Sequence, residues 1–521
     1  MTTPIRMLLA LAASMFALPL AAQEAAPPEA TPAPLPDLEP LSAREVFALF
    51  SADEARWMRE PCSFGVPITS ALDSKTEGAL PVRRLKLIAE AFCADEEQRF
   101  DDGAALIEQI AALTPDDPPF AFALYFASRR KDASGALATL RGLKRQGFEE
   151  LDEDTFYDLG RMIEAAGRGD ELDAVMLAWV DAGQLPFLDT RLHPAVAMRA
   201  LAAAAASGRA DLVDQLLLPI TNPVSYTVLL THREYAPFWP QIEARAGANL
   251  ARVGAEHVEL TRTRLTNAPS DRDRFSDAAH ALHYNGQFAD AIALAQRWRE
   301  RAERGETIEE GDAWALNVQA YAHDSLGQTA EADKVFEELA KLDPAEHGWV
   351  VNFVINRAAR LTGQGRWAQG LFATELARTV ADKQGTTFAK LIIASNRACA
   401  YERLGAADKA APELAYLREN WKEGPALTVQ GLMCHGLRDE AAALLLTGLR
   451  DPAVFDMTRN AFHTDELDLF YTATILPQAP DLLADYPELA EELARHMRPI
   501  PEAFIPQAAL KRVAVKEGAE S

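Results

Sequence analysis

The chain has 521 residues, 49% hydrophobic and 25% charged, the proportions of an ordinary soluble folded protein, so disorder is excluded as the default state. Its 52 Lys and Arg against 77 Asp and Glu give a formal charge of -25, which disfavours nucleic acid and anionic lipid surfaces, since binding phosphates needs a basic stripe that releases counterions. The acidic residues are spread along the chain rather than gathered in a tail, the pattern of solvated helix faces.

At the N-terminus Arg6 precedes an apolar run from Met7 to Leu20, and Leu20-Ala21-Ala22 supplies small residues for cleavage before Gln23. The expectation is a signal peptide over residues 1–22 and an exported, soluble, periplasmic protein. No later stretch reaches about 18 uninterrupted apolar residues, so no integral membrane segment is expected in the mature chain. Residues 23–40, QEAAPPEATPAPLPDLEP, read as a Pro/Ala-rich disordered linker. An N-terminal helical cap follows over 41–80, with capping-box patterns at Ser42-x-x-Glu45 and Ser51-x-x-Glu54 and a loop over 61–67.

From 81 to 450 a helix-turn-helix unit recurs, clearest in WALNVQAYAHDSLGQTAEADKVFEELAKLDP from Trp314 to Pro344. Gly167, Gly208, Gly286, Gly327, Gly365, Gly405 and Gly436 each close an apolar-periodic helix and precede another, as expected of the left-handed residue after a helix end. The turns near Gln98 and Lys131-Asp132 lack glycine. Residues 451–498 read as a C-terminal helical cap, and 499–521 as an extended arm and loose tail.

Gly327, Glu331-Ala332, Phe336 and Leu342-Asp343-Pro344 carry the spacing of a known repeat; Phe100, Ile107 and Leu113-Thr114-Pro115 carry it again, and Ala400-Tyr401 with Gly405 in part. The chain thus resembles the tetratricopeptide-repeat-like α-solenoid superfamily. The resemblance implies an all-α fold, a right-handed superhelix of stacked antiparallel helix pairs whose first helices line a concave groove. The chain departs from that pattern in spacing: successive glycines at 286, 327, 365 and 405 lie farther apart than the usual repeat of about 34 residues. Pro412 also falls within a second helix.

Two first helices carry a near copy, Asn356-Arg357-Ala358-Ala359-Arg360 and Asn396-Arg397-Ala398-Cys399-Ala400, with Asn317 and Asn352 close to equivalent places. In peptide-binding members such an asparagine holds the ligand backbone. The resemblance therefore implies a peptide or protein segment lying across the hairpins from about Asp273 to Arg403, with Arg403, Tyr321, His280, His283 and Tyr284 sharing the groove. The alternative is that the asparagines bridge neighbouring helices inside the stack. His280 and His283 share a helix face but have no obvious third metal ligand. No HExxH, GxSxG, phosphate-loop or dinucleotide signature occurs, so no catalytic residue, metal or cofactor is assigned.

Cys62 and Cys93 lie near one end, Cys399 and Cys434 in successive first helices near the other. Sequence-local pairing is sensible, although three connectivities are open and four buried free thiols are the alternative. The leading functional expectation is a noncatalytic exported scaffold that binds a protein segment, in envelope assembly, polymer secretion or trafficking. The competing expectations are an α/α-toroid enzyme acting on glycans, which would need two carboxylates about 5 to 10 Å apart in one cleft, and a subunit that self-associates along its edges.

Overall fold

A computed structural model describes residues 34–52, 56–151, 153–188, 192–462, 470–471 and 474–513. The expected signal peptide, the linker up to residue 33, Glu54 of the second capping pattern and the tail from 514 lie outside them. The fold is all-helical, with no strand among the described residues. It divides between Leu212 and Val213 into two compact units.

Helices of eight residues or more are numbered in chain order. The first unit contains α1 (Ala43–Ala52), α2 (Val66–Lys75), α3 (Leu80–Glu96), α4 (Phe100–Leu113), α5 (Phe120–Arg129), α6 (Ala133–Arg141), α7 (Glu153–Ala165), α8 (Gly169–Asp181) and α9 (Leu192–Ser207). The capping box at Ser42 forms: Ser42 N donates to Glu45 Oε2 at 2.7 Å and Glu45 N to Ser42 Oγ at 3.4 Å. The stretch expected as a loop over 61–67 is instead helical. A π-type turn, Pro61–Gly65, runs into α2, because its proline occupies an initial position, where a missing N–H costs little. Val46, Phe50, Trp57, Phe64 and Ile68 are buried together with the apolar face of α3. Leu35 and Leu38, assigned above to the linker, pack against this core.

The second unit contains α10 (Pro223–Thr231), α11 (Trp239–Ala246), α12 (Ala251–Asn267), α13 (Arg272–Tyr284), α14 (Phe288–Ala295), α15 (Glu310–Ser325), α16 (Thr329–Leu339), α17 (Val350–Gly363), α18 (Trp367–Gln384), α19 (Thr387–Arg403), α20 (Ala411–Glu419), α21 (Pro425–Cys434), α22 (Arg438–Arg450) and α23 (Pro487–Ala494). From α13 to α22 the odd-numbered helices are first helices and the even-numbered ones second helices. Each first helix packs on its own second helix, and each second helix on the next first helix. First helices also meet directly, α13 with α15, α17 with α19 and α19 with α21. Pro412 does not break a second helix: a 3-10 turn over Ala407–Ala410 precedes it and α20 starts at Ala411, so the proline again sits in a first turn.

The cysteines pair as Cys62–Cys93 and Cys399–Cys434, with none left free. The second bridge joins first helices α19 and α21. Sequence separations of 31 and 35 correspond to roughly 3 to 4 kcal/mol each in a chain-entropy account. The arm expected to be extended from 499 carries two short helical turns, Glu502–Phe504 and Gln507–Lys511. It is anchored in the second unit, where Asn249 Nδ2 donates to Ile505 O at 3.1 Å and Val513 N to Ser325 O at 3.0 Å.

All seven turn glycines predicted from the sequence have positive φ, and Gln98 and Lys131 adopt it where glycine is missing. At Gly405, φ is +68° and an added Cβ would meet nothing within 4 Å. The cost of a side chain there is thus the left-handed backbone alone, about 1 to 2 kcal/mol. Gly405→Ala is expected to lower unfolding stability by about 1 kcal/mol in denaturant titrations, with an unchanged m-value.

Candidate functional site

In the first unit the two glycine-free turns border a cleft of about 570 Å³ lined by Gln98–Asp102 and Arg129–Asp132. Its cations are largely spent on neighbours: Arg99 pairs with Asp102 at 2.6 Å, Arg130 with Asp101 at 2.9 Å and Arg129 with Asp95 at 2.9 Å. The cleft therefore presents paired charges rather than a field for one sign of ligand.

The residues singled out from the sequence gather on the first helices of the second unit. Asp271 caps α13 by accepting from Asp273 N and Arg274 N, which starts the helix in the register that puts His280, His283 and Tyr284 on neighbouring positions near its end. His280 Nδ1 donates to Ser276 O at 2.9 Å. His283, fully buried, donates from Nε2 to Phe470 O at 2.8 Å. The Tyr284 hydroxyl lies 2.9 Å from that of Tyr471. Tyr321, on α15, is buried with its ring 5.5 Å from Phe336 and 5.1 Å from Tyr471. These side chains meet main chain and rings from the 470–471 segment, so His283, Tyr284 and Tyr321 do not line an open surface.

The asparagines divide. Asn356 Nδ2 donates to the buried Asn317 Oδ1 at 3.3 Å, bridging α17 and α15. Asn396 is buried and donates to Ile392 O of its own helix at 2.8 Å. Asn352 is half-buried on α17. Arg403 is exposed, with its guanidinium 5.6 Å from the Trp367 ring centroid. The bridging alternative describes Asn317 and Asn356 as they stand.

The near copy also contributes something not anticipated. Arg360, fully buried on α17, hydrogen-bonds both carboxylate oxygens of Asp324 at the end of α15 and reaches Asp333 on α16 at 2.7 Å. Arg366 closes the group on Asp333 with two bonds of 2.8 Å. Burial alone would raise the Asp333 pKa, but hydrogen bonds from Arg366 and Arg360 outweigh it and hold the carboxyl below its ordinary value. Arg397 does the same between other elements: it bonds Glu413 on α20 at 2.8 Å, Glu375 on α18 and the Tyr401 hydroxyl at 2.7 Å. Its counterpart in the copy, Arg357, approaches Glu337 on α16 at 3.8 Å. The repeated arginine was visible in the sequence, but its carboxylate partners lie 16 to 36 residues away.

For a metal, the His280 and His283 nitrogens are turned to Ser276 O and Phe470 O respectively, and they do not converge. Among the described residues, Cys62, Cys93 and Glu97 bring ligand-type atoms together. The two sulfurs are bonded to each other, leaving a single carboxylate as an ordinary ligand. That set does not fit a metal centre.

Burial pushes the His283 pKa down to about 3, against the opposing hydrogen bond to Phe470 O. Burial likewise pushes His257 down to about 4. The unfolded chain takes up protons at these histidines below about pH 6.5, while the folded chain keeps them neutral. The stability they permit is therefore present above pH 6.5 and lost as pH falls toward 4, by roughly 1.4 kcal/mol per pH unit for each. His283→Gln retains a donor for Phe470 O and is expected to reduce that slope by one proton in denaturant titrations across the window. Arg360→Met leaves Asp324, whose side chain is 6% exposed, without its main partner. It is expected to cost roughly 3 to 5 kcal/mol, measured by the same titrations at pH 7.

No protein-family model matches the chain, and no curated protein matches it either.

Proposed function

We propose that this protein is an exported, noncatalytic scaffold of the tetratricopeptide-like kind that holds a peptide or protein segment on the first helices of stacked hairpins, in envelope assembly or secretion. The contact pattern from α13 to α22 supports the repeat reading. First helices that pack on their own second helices, and at α13–α15, α17–α19 and α19–α21 on the next first helix as well, are what neighbour-to-neighbour stacking of repeats would give. The spacing of Gly327, Glu331-Ala332, Phe336 and Pro344 adds the sequence resemblance to it.

The observation that carries the binding role is how the second unit already treats a backbone. Side chains from two different first helices, His283 of α13 and Ser325 of α15, donate to consecutive carbonyl oxygens of Phe470 and Tyr471. Main-chain capture of this sort provides affinity for a segment whatever its sequence, and side-chain pockets then provide selectivity. The noncatalytic part of the reading is supported by the buried carboxylates. Asp312 and Glu413 are each engaged by arginines, and a carboxylate held in that way is poorly placed to exchange protons with a substrate.

Export is supported by the apolar run after Arg6 and by two disulfides, which persist in oxidising compartments. A photo-cross-linking side chain placed at Asn352 or Arg403, in cells that export the protein, is expected to yield a discrete adduct of higher mass. The same substitution at the exposed Glu338 of second helix α16 is the control. Identical adduct patterns from all three positions would remove the first helices as the binding surface.

A further inference from the structure

After α23 the chain returns to the beginning of the second unit. Arg498 N donates to Thr231 O and Arg233 N to His496 O, both at 2.9 Å, which pairs His232 with Met497 as an isolated antiparallel bridge. Side chains reinforce the junction. Arg498 donates from Nε to Leu230 O and from Nη2 to Glu243, each at 2.7 Å, and its guanidinium stands 3.6 Å from the centroid of the Trp239 ring. Arg233 donates to Ala494 O at 3.2 Å, and Arg459, from the short helix Phe455–Asn460, holds Glu234 at 2.5 Å. A guanidinium fixed over an indole by two further hydrogen bonds contributes more than an exposed surface pair does.

The same stretch then crosses further elements of the unit. Ile505 O accepts from Asn249 just ahead of α12, the Gln507–Lys511 turn packs on α13, and Val513 N bonds Ser325 O at the end of α15. It passes close over the turn between α13 and α14, where a Cβ at Gly286 would lie 3.2 Å from Gln507 O and 2.7 Å from Lys511 Cδ. Met497 is buried in the apolar core that α19, α21, α22 and α23 share, and Ala508 in that of α13 to α16. Between these two in chain order stands a third core, built by α17 and α18. One short stretch of chain therefore joins the first and last cores directly.

In an open stack of hairpins each one contacts only its neighbours, so unfolding starts at either end and moves inward. Here α10 and α11 are held by the residues that follow α23, and neither is a free end. We infer that residues 494–513 are a strap that closes the second unit into one circuit of contacts, from α13–α16 through α17–α18 and α19–α23 and back. Its hairpins then open together instead of fraying from α10 or from α23. This holds whether or not the first helices bind a partner segment.

Native-state amide hydrogen exchange on the full chain, corrected for intrinsic rates, tests this. The Arg233 and Arg498 amides report one end of the strap and the Val513 amide the other. In the unmodified protein all three are expected to be protected to within about tenfold of the amides of α19. Arg498→Gln removes the Glu243 pair and the Trp239 contact. It is expected to lower the protection of the Arg233 and Val513 amides together, by about tenfold or more, although these bond at opposite ends of the strap.

Strap amides that exchange more than about tenfold faster than those of α19 in the unmodified protein overturn the inference. So does an Arg498→Gln form in which the Arg233 amide is exposed without the Val513 amide, or in which neither changes. Should that form fail to fold, Gly286→Ala takes its place with Gly405→Ala as its control. The two glycines have φ of +66° and +68°, so the backbone cost is matched and only Gly286 lies beneath the strap. Gly286→Ala is expected to lower protection of the Val513 and Arg233 amides about threefold more than Gly405→Ala does, and equal effects end the inference.

Discussion

A pair of helices joined by a short turn has apolar surface on more sides than its two members can cover, and the second unit is organised around that shortage. Helix α15 is the clearest case. Buried positions run almost all the way around it, from Ala313 and Leu316 to Val318, Ala320 and Tyr321, because α13, α14 and α16 enclose it and the 470–471 segment covers its end. A helix enclosed in this way can keep polar residues only where a partner is built in. Asn317 therefore meets Asn356, Ser325 meets Tyr471 O, and Asp312 meets Arg301 and Arg272.

The same constraint accounts for the arginines. In a chain of net charge -25 carboxylates are abundant wherever two helices approach, and an arginine entering the stack can satisfy several of its donors at once. Arg360 links three consecutive helices, α15, α16 and α17, through Asp324 and Asp333. Arg397 links α18, α19 and α20 through Glu375 and Glu413. Neither group resembles a reactive site. Both fix how one hairpin follows the next, and with the Cys399–Cys434 bridge they tie the first helices of this region to their neighbours through side chains as well as apolar packing.

Distant parts of the chain meet the last turns of the first helices α13, α15 and α17: the His283 and Ser325 side chains donate to Phe470 O and Tyr471 O, Ile475 N donates to Gly363 O, and Val513 N donates to Ser325 O. The aromatic residues that looked like groove lining are consequently engaged already. Of the expected groove residues, Arg403 and Asn352 stay more accessible than Asn317, Asn396 and Tyr321.

What the sequence determined by itself is what depends on neighbours three or four positions away. The helices, their capping at Ser42, and the left-handed turn at Gly286, Gly327, Gly365, Gly405 and Gly436 were all legible, because helix periodicity and turn sterics are local. The repeated Asn-Arg-Ala was visible too, and so was the sense of pairing Cys62 with Cys93 and Cys399 with Cys434, though not its certainty. Only the tertiary structure decided that Asn356 reaches Asn317 rather than solvent, that Arg360 lies between two aspartates, and that His283 is buried beneath Phe470. Each of these depends on which side of a helix another element covers. A contact between residues 187 positions apart leaves no periodic trace in the chain, since nothing in the local backbone of either residue requires the other.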